Sequence, residues 1–360
     1  METAQPTRFG SGHAVRRVED DALLQGQGRY TDDFAPQGLL RACFFRSPYP
    51  HARLVAVDTT VARSMPGVKA VLSGADLVSA GVKPMPHGVG FPRPDGKPAA
   101  SPARYLLAHE RVRFVGDAVA VVVAETFQQA RDAAEAIQVE YEDLPHVVAI
   151  DDALASGAPI LCDEAPDNIC AAMKHGNAAA ADTAFAGAAH VVKLNITNQR
   201  VAALTIEPRT VLSYPDAATG RLTLRMSTQM PTGVRNSVAA LLGLTPDQMR
   251  VIVDDVGGGF GMKTGMYAED GVVAYCAKLL QCPVKWVADR SEEFLTSYHG
   301  RDIQTQAALA LAADGKILAL RVHSAANVGA YATSTGVAIQ LLIGPWVQTS
   351  VYDIQTIDFQ

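Results

Sequence analysis

Apolar and polar positions alternate in short runs over the first third of the chain, at residues 39–45, 54–58 and 68–72. Alternation with a period of two predicts half-buried strands. Ser47-Pro48 and Met65-Pro66-Gly67 separate these runs. Between them, 59–64 reads as a short helix capped by Thr59 or Thr60 and stopped before Pro66. Residues 118–124 are continuously apolar, which predicts a strand buried on both faces. Thr126 caps a predicted helix over 127–136, and a strand follows at 137–141. Residues 81–102, rich in Pro and Gly, read as a long surface loop. The pattern predicts a compact α/β domain over 16–148, behind a loose arm of residues 1–15.

The pattern then changes. Residues 149–189 are Ala-rich with scattered Asp, Gly and Pro, and predict a linker wrapped over a surface. A second, mixed α+β domain is expected over 190–360, giving an α+β fold class for the whole. Its predicted order begins with strands at 191–197, 211–215 and 222–227, the last two joined by a turn at 216–220. A helix at 232–242 and a strand at 249–253 lead to a glycine loop, a helix at 267–280 and a strand at 284–287. Strands at 304–311 and 317–327 form a hairpin about Ala313-Asp314-Gly315. Residues 351–360 alternate without a turn or a charged tail, the pattern of a half-buried strand. A natural terminus seldom leaves such an edge unprotected, so a truncated or split chain is expected.

Composition narrows the function. Of 360 residues 48% are apolar and only 19% charged, so part of the surface is expected to be covered by something else. The net charge of −6, without a basic tract, argues against nucleic acid. No apolar run is long enough to span a bilayer and the first residues lack a signal-like h-region, so a cytoplasmic protein is expected. The five cysteines contain no Cys-x-x-Cys and the histidines no His-x-x-x-His. Neither a zinc site nor a cysteine-held iron–sulfur cluster is expected in this chain.

The candidate chemistry lies in Val256-Gly257-Gly258-Gly259-Phe260-Gly261-Met262-Lys263. Three glycines after a strand allow positive φ and close approach of backbone to a ligand. Both common phosphate motifs, the P-loop and Gly-x-Gly-x-x-Gly, fail at Met262. Two readings stand: a cradle for some other ligand, or a flexible connector.

Other blocks accompany this loop in order: Gly28-Arg29-Tyr30-Thr31-Asp32-Asp33, Arg46-Ser47-Pro48 with His51-Ala52-Arg53, Pro66-Gly67-Val68, and Leu72-Ser73-Gly74-Ala75-Asp76. Val115-Gly116-Asp117, Tyr141-Glu142-Asp143-Leu144-Pro145, Glu207-Pro208-Arg209 and Ser227-Thr228-Gln229 follow. Together they resemble the molybdenum-binding large subunits of the xanthine dehydrogenase and aldehyde oxidase superfamily, including the aerobic carbon monoxide dehydrogenase-like members. The resemblance implies an N-terminal hammerhead-like domain and then the first part of a molybdopterin-binding domain. It implies that Gln229 presents its side-chain amide to an oxo group on molybdenum, and that Phe260 presents its backbone N–H to the same centre. Gly258, Gly259 and Gly261 complete the implied cofactor-binding set. Neutral, preorganised donors suit the charge concentrated on a metal oxo group.

The implied cofactor is molybdopterin cytosine dinucleotide. The implied reaction oxidises a C–H bond of an aldehyde or N-heterocycle with oxygen from water, carbon monoxide being the alternative substrate. Electrons would leave to a [2Fe–2S] cluster and FAD on an iron–sulfur small subunit and an FAD-binding medium subunit. A second molybdopterin-binding chain is a further implied partner. The chain departs from purine-oxidising members at Thr264, where they carry a glutamate. The general-base glutamate and the copper-binding cysteine of carbon monoxide dehydrogenases would fall beyond Gln360, so no catalytic residue is assigned within the chain. Glu207, Arg209, Lys263 and Asp255 read as structural ion-pairing groups. Tyr298, His299 and Arg301 line a channel or belong to a solvated turn. A non-catalytic assembly module is the rival reading.

Overall fold

The computed structural model describes residues 16–360, so the arm expected at 1–15 lies outside the described residues. The main sheet has seven strands. Its spatial order is Met249–Ile252, Arg221–Met226, Thr210–Asp216, Val284–Val287, Leu40–Arg46, Ala118–Ala124 and Val68–Ser73. Residues of Ala118–Ala124 alternate between two cores, as the pleat requires. Val121 and Val123 join one core with Leu106 and Trp286. Ala120, Val122 and Ala124 join another with Ala130 and Ala133 of helix Phe127–Glu135. That helix starts where expected: Thr126 Oγ1 accepts from the Gln129 N–H, and Gln129 Oε1 accepts from the Thr126 N–H.

Leu40–Arg46 pairs in parallel with Val284–Val287, placing Leu40 opposite Val284. One sheet therefore runs without interruption through segments expected to belong to two domains. Helix Ala268–Leu280 packs on it, against Thr210–Asp216 and Val284–Val287.

A second sheet has five strands, ordered His175–Gly176, Ile357–Phe359, Ile317–Ala326, Ile303–Leu311 and His190–Asn198. Helix Ala178–Ala186 covers one face, with Ala181 buried against Ala310 and Ala319. The Ala-rich segment thus carries a packed helix, because its alanines are small enough to lie flat on the sheet. Its other face buries Leu320, Val322 and Phe359. At the His190–Asn198 edge that face is open: Val192, Leu194 and Ile196 are 54%, 59% and 44% exposed.

Three expectations need correction. Thr59 occupies the N-cap of helix Thr60–Ser64 without a side-chain bond to the helix backbone, its hydroxyl accepting from Arg63 Nε (2.8 Å); Asp58 Oδ1 accepts from the Thr60 N–H instead. The predicted helix 232–242 is Pro231–Leu241, begun by a proline that needs no N–H partner in the first turn. The alternating run 351–360 forms a strand only at Ile357–Phe359, the part with strand partners on both sides. Among the described residues no helix is long and apolar enough to cross a membrane.

Candidate functional site

The glycine loop leaves strand Met249–Ile252 and re-enters regular structure at helix Ala268–Leu280. Gly258 (φ 108°), Phe260 (φ 49°) and Gly261 (φ 82°) all have left-handed backbone. Two glycines are fixed by contact with the chain itself. A Cβ on Gly257 would lie 2.4 Å from Glu207 Cβ, and one on Gly259 would lie 2.6 Å from Gln229 Cδ. The Gly257 N–H donates to Glu207 Oε2 (2.8 Å) and the Gly261 N–H to Gln229 Oε1 (3.0 Å).

These contacts bring Gln229 and Phe260, far apart in sequence, to one turn. The N–H of Gly261 can only donate, so the Gln229 oxygen must face it and the amide NH2 must point away. That NH2 has no partner among the described residues, and neither does the N–H of Phe260. Both residues are exposed, Phe260 to 74%. An aromatic residue held in left-handed backbone and open to solvent is strained and unburied, a combination found at functional loops.

Beneath the turn the charges pair off. Lys263 Nζ donates to Ser227 Oγ (2.6 Å), Glu207 O (2.9 Å) and Glu207 Oε2 (3.2 Å). Burial lowers the pKa of Lys263, while Glu207 pulls the other way. Glu207 and Arg209, two residues apart, serve different networks. Arg209 Nη1 meets Glu269 Oε2 at 3.2 Å, and the Arg209 N–H donates to Glu293 Oε2 at 2.9 Å. Arg46 joins through Glu269 (2.8 Å) and Glu292 (2.6 Å). Burial would raise the Glu269 pKa, but Arg209 and Arg46 hold it down to about 2. The cavity between Arg209, Thr228, Lys263, Tyr267 and Asp270 is only about 10 Å³, room for one water at most.

Asp255 accepts from the Arg29 N–H at 2.7 Å, and Thr264 Oγ1 donates to Gly261 O at 2.6 Å. Tyr298 is half-buried and stacked on Tyr267, whereas His299 and Arg301 are exposed. Sequence reasoning missed Glu269 and Glu293 and the pairing of Arg46, because the partners lie far away along the chain. The one signal was a pair of carboxylates, Glu269 and Asp270, at the start of an otherwise apolar helix.

Comparison with known proteins identifies the family. The family model "Aldehyde oxidase and xanthine dehydrogenase, a/b hammerhead domain" matches residues 25–145, and "Molybdopterin cofactor-binding domain" matches residues 161–360. The chain is 36% identical over 327 residues to the nicotine 6-hydroxylase large subunit of Paenarthrobacter nicotinovorans, covering 90% of this chain and 39% of that one. It is also 36% identical over 334 residues to the carbon monoxide dehydrogenase large chain of Afipia carboxidovorans, covering 89% and 40%. The crystal structure of quinoline 2-oxidoreductase from Pseudomonas putida 86 superimposes with a TM-score of 0.86 at 34% identity, over 96% of this chain and 43% of that one. The chain spans about two fifths of the length of these relatives.

Proposed function

Because the chain belongs to the molybdopterin-binding xanthine dehydrogenase and aldehyde oxidase family, as an N-terminal portion of its large subunit, we propose that it forms part of the metal site of a molybdenum hydroxylase. The complete enzyme would bind molybdopterin cytosine dinucleotide and oxidise a C–H bond of an N-heterocycle or an aldehyde. Nicotine and quinoline in the names of two similar proteins support an N-heterocycle, and the equally similar carbon monoxide dehydrogenase large chain keeps carbon monoxide as the alternative substrate.

The observation that carries the reading is the paired donor set, the free amide NH2 of Gln229 beside the free N–H of Phe260. These neutral donors fit an oxygen-rich, negatively charged group; Gly261 leaves open space beside them, while Gly258 and Gly259 let the loop pack against Thr205 and Gln229. When bound, the cofactor would supply the oxygen-transfer and two-electron chemistry. This chain's part is to bind and orient. Gln229 is aimed by the Gly261 N–H, and Phe260 by its left-handed backbone. Buried Lys263 and Glu207 keep the loop closed from below. Thr264 offers no carboxylate to a substrate, which disfavours purines.

We further propose that electrons leave to an iron–sulfur small subunit and an FAD-binding medium subunit, with a second molybdopterin-binding chain as a further partner. The unpaired cysteines suit the cytoplasm.

Molybdenum and CMP content of the chain purified from its native host, with whatever co-purifies, tests this reading. About one molybdenum per complex, with iron and FAD on other chains, is expected. Partner chains without molybdenum would leave the assembly-module reading in its place, and neither metal nor partner would leave a piece without chemistry of its own.

A further inference from the structure

We propose that Tyr267 and Tyr298 are positioning residues that lock the glycine loop in the shape aiming the Phe260 N–H and the Gln229 amide; this rests on the function proposed above. The two rings stack with centroids 4.3 Å apart and an interplanar angle of 21°. Their hydroxyls tie down both ends of the loop's last turn. Tyr267 Oη donates to Met262 O (2.7 Å) and accepts from the Tyr298 N–H (3.1 Å). Tyr298 Oη donates to Met266 O (3.2 Å) and accepts from Arg104 Nη1 (3.2 Å).

Met262 is the critical link. Its N–H donates to Gly259 O at 2.9 Å, closing the turn around Phe260. On its two sides stand the residues that grip Gln229. The Gly261 N–H holds the amide oxygen, and Lys263 O accepts from the Gln229 N–H at 2.9 Å. Freeing the Met262 carbonyl therefore loosens both donors together. The anchor itself is rigid. Tyr267 is 3% exposed, the Arg209 guanidinium lies 3.9 Å from its ring centroid, and Arg104 lies over both Tyr298 (5.6 Å) and Tyr331 (5.2 Å). Neither tyrosine is needed to touch a ligand; each acts through the loop.

The test uses Tyr267→Phe and Tyr298→Phe in the complex isolated from the native host, each retaining its ring and losing its hydroxyl. Amide hydrogen exchange over residues 258–263 should rise about fivefold in Tyr267→Phe, the factor expected for one lost hydrogen bond. Tyr298→Phe should loosen the 264–266 end first. The molybdenum EPR signal of the partly reduced complex should also shift in Tyr267→Phe at unchanged molybdenum content or with some loss of metal. Unaltered exchange over 258–263 in both variants would overturn the proposal. Faster exchange with an EPR signal and metal content identical to the parent would overturn it too, leaving a merely structural pair. If Tyr267→Phe does not fold, Tyr298→Phe carries both readouts. A parent complex without molybdenum defeats the proposed function itself, and is told apart because it appears before any substitution is made.

Discussion

Gly259 lies so close to Gln229 that a Cβ on the glycine would stand 2.6 Å from the glutamine Cδ. The glycine is thus required by a side chain of this protein. Gly259 does not have left-handed backbone and the Gln229 side chain is exposed, so Gly259→Ala should fold normally and push the amide aside. Gln229→Ala should lower turnover of the loaded complex by about 10²–10³, the cost of one lost donor to developing charge. Gly259→Ala should cost a similar factor, and the double variant no more than either alone. Additive losses, or full activity in Gln229→Ala, would remove Gln229 from the site.

Lys263 and Glu207 are a buried pair, with side chains 1% and 10% exposed. Removing one partner strands the other's charge. Lys263→Met should destabilise the chain by about 3 kcal/mol, the low end for a broken buried pair, since Ser227 and Gly257 still donate to the carboxylate. Adding Glu207→Leu should restore much of the loss, as measured by urea unfolding. A single variant as stable as the parent would show that the pair contributes nothing.

Asp117 gives the stability a pH signature. Burial pushes its pKa up to about 6, against the pull of Arg104 and of hydrogen bonds from the Arg113 N–H and Tyr331 Oη. A pKa raised above its ordinary 3.8 contributes stability that is present below about pH 4 and lost as pH rises through about 6. Asp117→Asn should remove that loss, so its stability relative to the parent should climb between pH 4 and 7 by about 1–3 kcal/mol. Glu269, held down to about 2, works in the opposite sense, and its contribution fades as pH falls from 4.5 toward 2. Parallel unfolding curves for parent and Asp117→Asn across pH 4–7 would contradict the assignment.

What was legible in the sequence was local. The continuous apolar run at 118–124, the Thr126 cap and the glycine loop each carry their signal within a few residues, and each is in place. What was hidden depends on pairing across the chain. The parallel match of Leu40 with Val284 leaves no trace in either strand's pattern, since any buried apolar run offers the same edge. Arg46 with Glu292, 246 residues apart, and Tyr331 with Asp117, 214 apart, are equally silent. At the site, the blocks holding Gln229 and Phe260 were readable. The close approach that makes Gly257 and Gly259 irreplaceable was not, because a missing Cβ acquires meaning only from what lies opposite it.

The His190–Asn198 strand makes the last prediction. It pairs with Ile303–Leu311 over all nine residues without a register shift, and its outer edge is unpaired. Val192 stands opposite Leu309, so Val192, Leu194 and Ile196 continue the apolar face that buries Leu320 and Val322 further in. Among the described residues the edge carries no proline or bulge, and its one lysine, Lys193, lies on the face opposite Val192, Leu194 and Ile196. Isolated proteins rarely leave such an edge open, so it should be covered in the proposed complex. Leu194→Lys should leave the melting temperature of the separate chain within about 2 °C of the parent, as for other exposed substitutions. It should nevertheless weaken association with the co-purifying subunits at least tenfold, measured by size-exclusion chromatography across a dilution series. A variant complex that holds together like the parent would mean that this edge is not where the partner binds.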